Sequence, residues 1–93
     1  MKLSISATIP AQVLARRVGE EIVILNIESG VYFGLDSVGA RIWELLADGN
    51  SLAVICETME LEFEVERETL EEDVKRLLQD LLDRGLITTV DNT

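Results

Sequence analysis

The sequence contains no histidine and only one cysteine, one proline, one tryptophan and one tyrosine among 93 residues. Without imidazole there is no Ser-His-Asp or Cys-His nucleophile pair, no usual zinc site, and no side chain that titrates near neutrality at its ordinary pKa. The lone Cys56 cannot form an internal disulfide; surrounded by Ala53, Val54, Ile55 and Met59, it has the setting of a buried, inert thiol. Neither an Asp-x-Asp-x-Asp-Gly calcium loop nor a glycine-rich phosphate loop is present. Basic residues are also few. Eight Lys and Arg stand against 18 Asp and Glu, a net charge of −10, which repels phosphate backbones and argues against nucleic acid as a partner. No apolar stretch approaches the roughly 20 residues that span a bilayer. Met1-Lys2-Leu3 leads into Ser, Thr and Pro rather than a signal-peptide core, so a cytoplasmic location is expected. Catalysis by this chain alone is not expected, and neither a cofactor nor a bound metal is required.

What is present is an apolar fraction of 47%, enough for one globular core with little stability in reserve. Residues 1–12, small and polar with Leu3, Ile5 and Ile9 scattered among them, predict an extended, partly mobile lead-in interrupted by Pro10. Residues 13–90 predict the domain proper. Val13–Val18 is a short strand, and Gly19-Glu20 turns the chain into a second, Glu21–Ile27. That strand is apolar on both faces, which suits a central position covered from both sides. Glu28-Ser29-Gly30 then forms a hairpin loop into Val31–Leu35.

From there the period changes. Val31, Phe33 and Leu35 alternate as in a strand; Asp36 or Ser37 can cap a new helix, and Val38, Ile42, Leu45 and Leu46 recur at helical spacing beside Trp43. This first helix runs to about Ala47 and ends at Asp48-Gly49-Asn50. Ser51 caps a second carrying Leu52, Ile55, Cys56 and Met59 on one face. Leu61–Val65 alternates apolar and acidic residues and predicts a short extended connector. A third helix, about Arg67 to Arg84, has the strongest periodicity: Leu70, Val74, Leu77, Leu78, Leu81 and Leu82 form its stripe, and Gly85 closes it. Leu86–Val90 forms either a terminal strand or a packed tail. The fold class is α+β, with a three-stranded antiparallel sheet followed by three helices in a winged helix-turn-helix-like arrangement.

The second and third helices would be the reading pair of a DNA-binding regulator, but the third opens with Glu66, Glu68, Glu71, Glu72 and Asp73 and only Arg67 among them. The same acids have an ordinary role as favourable charge near a helix N-terminus. The sheet is more informative. Three short strands cannot close, so an outer strand keeps unpaired backbone groups. Arg16 and Arg17 discourage further pairing along the first strand, whereas Val-Tyr-Phe-Gly-Leu carries no charge. That edge is either buried by the third helix or open for a peptide to join as a fourth strand. Self-pairing of two copies through it is the competing use. Proline at Phe33 is expected to remove an edge donor and abolish such pairing.

Tyr32-Phe33-Gly34-Leu35-Asp36-Ser37-Val38-Gly39-Ala40-Arg41-Ile42-Trp43 resembles the Tyr-x-Leu-Asn/Asp-x-x-Gly-x-x-Ile-Trp signature of PqqD-like proteins, the recognition elements for precursors of ribosomally made, modified peptides. The similarity continues through Leu45-Leu46, Gly49, Val65, Asp73-Val74, Leu78, Leu81 and Gly85-Leu86-Ile87. The resemblance implies a non-catalytic domain that binds a precursor's leader peptide as an added antiparallel strand. The implied contacts are Val31, Tyr32, Phe33, Gly34 and Leu35 on the strand, with Asp73, Val74, Leu77 and Asp80 on the third helix. It is most similar to the free-standing leader-binding proteins of lasso-peptide biosynthesis, which implies a leader peptidase and an ATP-dependent cyclase as partners. The alternative is the PqqD-type chaperone of a precursor for pyrroloquinoline quinone or another peptide modified by a radical enzyme.

Overall fold

The computed structural model describes residues 1–92 as a single layer of helices against two small sheets. Its elements are β1 (Ile5–Thr8), β2 (Val13–Val18), β3 (Glu21–Asn26), β4 (Tyr32–Leu35), α1 (Ser37–Ala47), α2 (Leu52–Glu62), α3 (Arg67–Asp83) and β5 (Thr88–Asp91). β2, β3 and β4 form the antiparallel meander that the strand and turn pattern predicts, in that order, so β2 and β4 are its edges.

β1 and β5 form a separate antiparallel ribbon, Ile5 opposite Asp91 through Thr8 opposite Thr88. The amino-terminal segment is therefore extended and tied down: Ala7 is buried, and Ala53 N–H donates to the Leu3 carbonyl at 2.9 Å. The terminal segment 86–90 is resolved by the same pairing, with Leu86 and Ile87 buried and Thr88 beginning the strand.

Burial follows the helical and strand periods. Ile22, Ile24 and Leu35 on the inner face of the meander meet Ile42, Trp43, Leu46, Leu52, Ile55, Met59, Leu70, Val74, Leu78 and Leu81 in one core. β3 departs from its expected role. Alternate residues Glu21, Val23 and Leu25 are solvent-exposed, so the strand is central in the sheet yet covered on only one face. Leu14, Val18, Val23, Leu25 and Tyr32 together leave an apolar outer surface. The second departure is at Leu61-Glu62, which completes α2 rather than belonging to an extended connector; extended geometry begins at the cap, Phe63 (φ −126°, ψ 135°). The alternation there is produced by the helix end meeting the turn. Glu62 is held helical by Arg41 of α1, whose guanidinium makes a bidentate pair with it at 2.8 and 2.7 Å, the strong form of an ion pair.

The α1 start carries the chain from sheet to helix. Asp36 is the cap, its Oδ1 accepting from Gly39 N–H at 2.8 Å. Gly39 packs closely at this junction: a Cβ there would come within 3.2 Å of Leu35 Cδ2 and 3.4 Å of the Asp36 carboxylate, so a side chain would need Leu35 to give by a few tenths of an ångström. Ser51 caps α2 by accepting from Val54 N–H at 3.3 Å.

Candidate functional site

The edge of β4 is open, and its free backbone groups can be assigned from the register. Asn26 N–H donates to the Val31 carbonyl at 2.8 Å, and in an antiparallel pair such hydrogen-bonded positions recur every second residue. Ile24 opposite Phe33 and Ile22 opposite Leu35 are in the same phase. Phe33 and Leu35 thus direct their N–H and C=O toward β3, while Tyr32 and Gly34 direct theirs outward. Of the two fates open to this edge, the structure shows the unpaired one. It also moves the critical donor: proline at Phe33 would break the internal ladder, and the outward N–H groups belong to Tyr32 and Gly34.

Between β4 and α3 lies a groove of about 300 Å³, lined by Phe33, Gly34, Leu35, Asp36, Val38, Gly39, Ile42, Asp73 and Leu77. Its floor is apolar and is supplied mainly by β4 and the first two turns of α1. Its α3 wall is one helical flank: Asp73, Leu77, Asp80 and Arg84 follow at spacings of four, three and four residues, so they share a side. The Arg84 guanidinium stacks on the Phe33 ring, 4.9 Å from its centroid, within the range of a cation–π contact.

The residues singled out from the sequence divide by burial. Phe33, Gly34, Leu35, Asp73 and Leu77 come together in the groove. Val74 is fully buried in the core and acts as support, because it occupies the middle of the α3 stripe and not its flank. Tyr32 is 71% exposed and stands in register with Leu25 on the outer face of the sheet, so only its backbone serves the edge. Val31 precedes the strand, and Asp80 is exposed on the α3 flank beyond the groove lining. Sequence reasoning missed Asp36, Val38, Gly39 and Ile42 as groove residues, although Val38 and Ile42 are one helical turn apart and directly follow the edge strand. It also missed Arg84.

One buried amide holds the two walls in relation. Asn26, at the end of β3, is the only polar side chain in the core among the described residues. Its Oδ1 accepts from Glu28 and Ser29 N–H at 3.0 and 3.2 Å, and its Nδ2 donates to the Gly85 carbonyl at 3.2 Å. It therefore closes the hairpin leading into β4 and ties that hairpin to the end of α3. Gly85 has φ +72°, a conformation in which a side chain would be strained, and this is what aims its carbonyl at the amide.

Charge at the site is carried on exposed side chains. Asp73 makes an exposed contact with Arg76 at 3.4 Å. Cys56, away from the groove, is buried, and that burial raises its thiol pKa, as expected of an inert thiol. Among the described residues no group of three or more acidic or cysteine side chains is placed to hold a metal ion, and no helix is long and apolar enough to cross a membrane.

The comparison with solved structures brings in two domains of the same shape. One is described as TbiB1 in complex with the TbiA(beta) leader peptide; it is 37% identical, with 85% of this chain and 92% of that chain covered and a TM-score of 0.81. The other, lasso peptide synthetase B1 complexed with the leader peptide, is 28% identical over 89% of this chain and 98% of that one, with a TM-score of 0.82. No curated protein matches the chain. Residues 21–87, from β3 through the close of α3, match the family model of Coenzyme PQQ synthesis protein D (PqqD). With the strand-to-helix signature, the capping Asp36 and the glycine packed on Leu35 all within that span, the chain belongs to the PqqD family.

Proposed function

We propose that this protein is a leader-peptide-binding protein, which captures a ribosomal precursor peptide by strand addition along β4 and presents it to modifying enzymes. The observation that carries the reading is the open β4 edge with an apolar groove beside it: outward backbone groups at Tyr32 and Gly34 supply the pairing, and the pocket between Phe33, Ile42 and Leu77 takes alternate side chains. The leader-bound domains, similar over nearly their whole length, support it. The peptide-binding residues are Tyr32 and Gly34 through their backbones, Phe33, Leu35 and Leu77 through the groove, and Asp73 and Asp80 on its α3 wall. Val31 and Val74 hold these in place.

The domain itself is non-catalytic and works in the cytoplasm. Its enzyme partners are a leader peptidase and an ATP-dependent cyclase of a lasso-peptide pathway. The apolar outer surface of the sheet, on the side away from the core, leaves room for a protein partner that a groove-bound peptide does not use. Service to a radical enzyme acting on a precursor such as that of pyrroloquinoline quinone is the alternative within the same family.

Fluorescence polarisation of a labelled leader, taken from the precursor encoded beside this chain, tests the reading. Saturable binding that unlabelled leader competes away is expected. Absence of binding by folded protein to every precursor encoded nearby would overturn it.

A further inference from the structure

The groove is electrically asymmetric. At the end where β4 becomes α1, the Asp36 carboxylate and Asp73 face it from opposite walls. Toward the beginning of β4 its flank ends in Arg84, stacked on Phe33. Among the described residues Arg84 makes no ion pair: its guanidinium meets only the ring, and its backbone N–H serves the end of α3. Such a residue favours the helix terminus through the dipole, but the dipole does not account for its being laid over the groove's aromatic wall. That stacking holds the planar donor fork in place beside the edge strand, with its hydrogen-bonding rim unpaired.

An antiparallel strand on β4 passes Leu35 with its amino-terminal half and Tyr32 with its carboxy-terminal half. We infer that Arg84 is a specificity-determining residue which selects a peptide carboxylate just carboxy-terminal to the paired segment, while Asp36 and Asp73 favour a basic residue just amino-terminal to it. This rests on the strand-addition reading above. Asp80 stands one turn before Arg84 on the same flank and weakens the long-range field there, so the selection acts at short range. A guanidinium forms two parallel hydrogen bonds to a carboxylate. Asp73 shares its charge with the exposed Arg76, so Asp36 and Asp73 act together at the other end. The polarity also fixes direction. A peptide entering in the parallel sense would bring both of its charges against like charge.

The test is selection from a display library of random peptides long enough to pair all of β4 and overhang both ends. Only peptides that lose binding on Gly34→Pro are kept, which confines the readout to the edge. Wild-type protein should enrich Asp or Glu on the carboxy-terminal side of the apolar anchors and Lys or Arg on the amino-terminal side. Arg84→Glu should invert the first preference and leave the second unchanged. Replacing the selected acid by its amide should weaken individual peptides by about two- to fivefold on wild type, the scale of a half-exposed ion pair, and not at all on Arg84→Glu. Edge-dependent binders whose charge pattern is absent, reversed in direction or indifferent to Arg84→Glu would overturn this inference and leave the groove reading standing. A library that yields no edge-dependent binder would overturn both.

Discussion

Gly34→Pro separates pairing along β4 from every other way a peptide could bind. The Gly34 N–H points away from β3, so its loss removes no bond of the folded chain, and a Cβ at this position meets nothing within 4 Å. Stability should therefore fall less than it does for a proline that breaks the internal ladder. The added strand fares differently. It loses one N–H···O=C bond, worth about 1 kcal/mol net, and its own carbonyl is left against the proline ring with a further penalty of about 1 kcal/mol or more. The sum, about 2 kcal/mol, is roughly a thirtyfold loss of affinity. Gly34→Ala keeps the donor and should bind within about twofold of wild type, since the site is open and backbone pairing is unchanged. Phe33→Pro is the contrasting control: it takes the donor from the Ile24 carbonyl inside the sheet, at about 1–3 kcal/mol of folding stability. Polarisation binding of the leader, with thermal unfolding of each variant alongside, reads all three. Folded Gly34→Pro protein that binds within a few-fold of wild type would refute strand addition at this edge.

Asn26→Ala leaves the Gly85 carbonyl and two loop amides unpaired and should cost about 1–3 kcal/mol in denaturant unfolding, with leader affinity falling because the hairpin and α3 are no longer tied. Leu78→Ala, at a fully buried position, should cost about 2–5 kcal/mol and lower Tm by about 4–8 °C for each kcal/mol. Glu62 has its pKa lowered, chiefly by its hydrogen bonds to Arg41. Its contribution to stability is thus present above the ordinary glutamate pKa and is lost as pH falls through the depressed value. Acid titration of Tm should show that loss in wild type and a reduced one in Glu62→Gln. For Cys56 the pKa is raised by burial, so folded protein holds the proton longer than unfolded protein does, and stability should fall as pH rises past the ordinary thiol value. A thiol reagent at neutral pH should label Cys56 only in denaturant.

Local chemistry made much of the fold legible in advance. A change of period at Leu35-Asp36, with a capping carboxylate at the change, marks the β4 to α1 junction because both signals lie within a few residues of each other. The β1–β5 ribbon had no such signal: its partners are 80 to 86 residues apart, and neither strand alone has a strong pattern. β3 was misjudged because apolar residues on both faces suggest two covers, whereas the outer one here remains exposed. At the groove, the α3 stripe does not indicate which flank of the helix forms the wall. Val74 lies at the centre of the stripe and is buried, and the wall is the flank through Asp73, Leu77 and Arg84. Arg84 carries no signal in the sequence, since its contact with Phe33 depends on where the end of α3 lies over β4.

The β1–β5 ribbon also bears on the order in which the chain folds. Ser4 Oγ donates to Asp91 Oδ1 across 87 positions of sequence, and closing a loop of that length has an entropic cost of about 4 kcal/mol by ideal-chain scaling. Most of that cost disappears once the meander and helices have formed, because they bring the two strands side by side. The ribbon should consequently form last and open first, as a small cooperative unit with its own protection in amide hydrogen exchange. Its exposed amides should exchange well before those of β3, in the middle of the meander. Such opening leaves Asn26, Gly85 and the β4 edge in place, so the first and last strands can breathe while the groove between β4 and α3 keeps its shape.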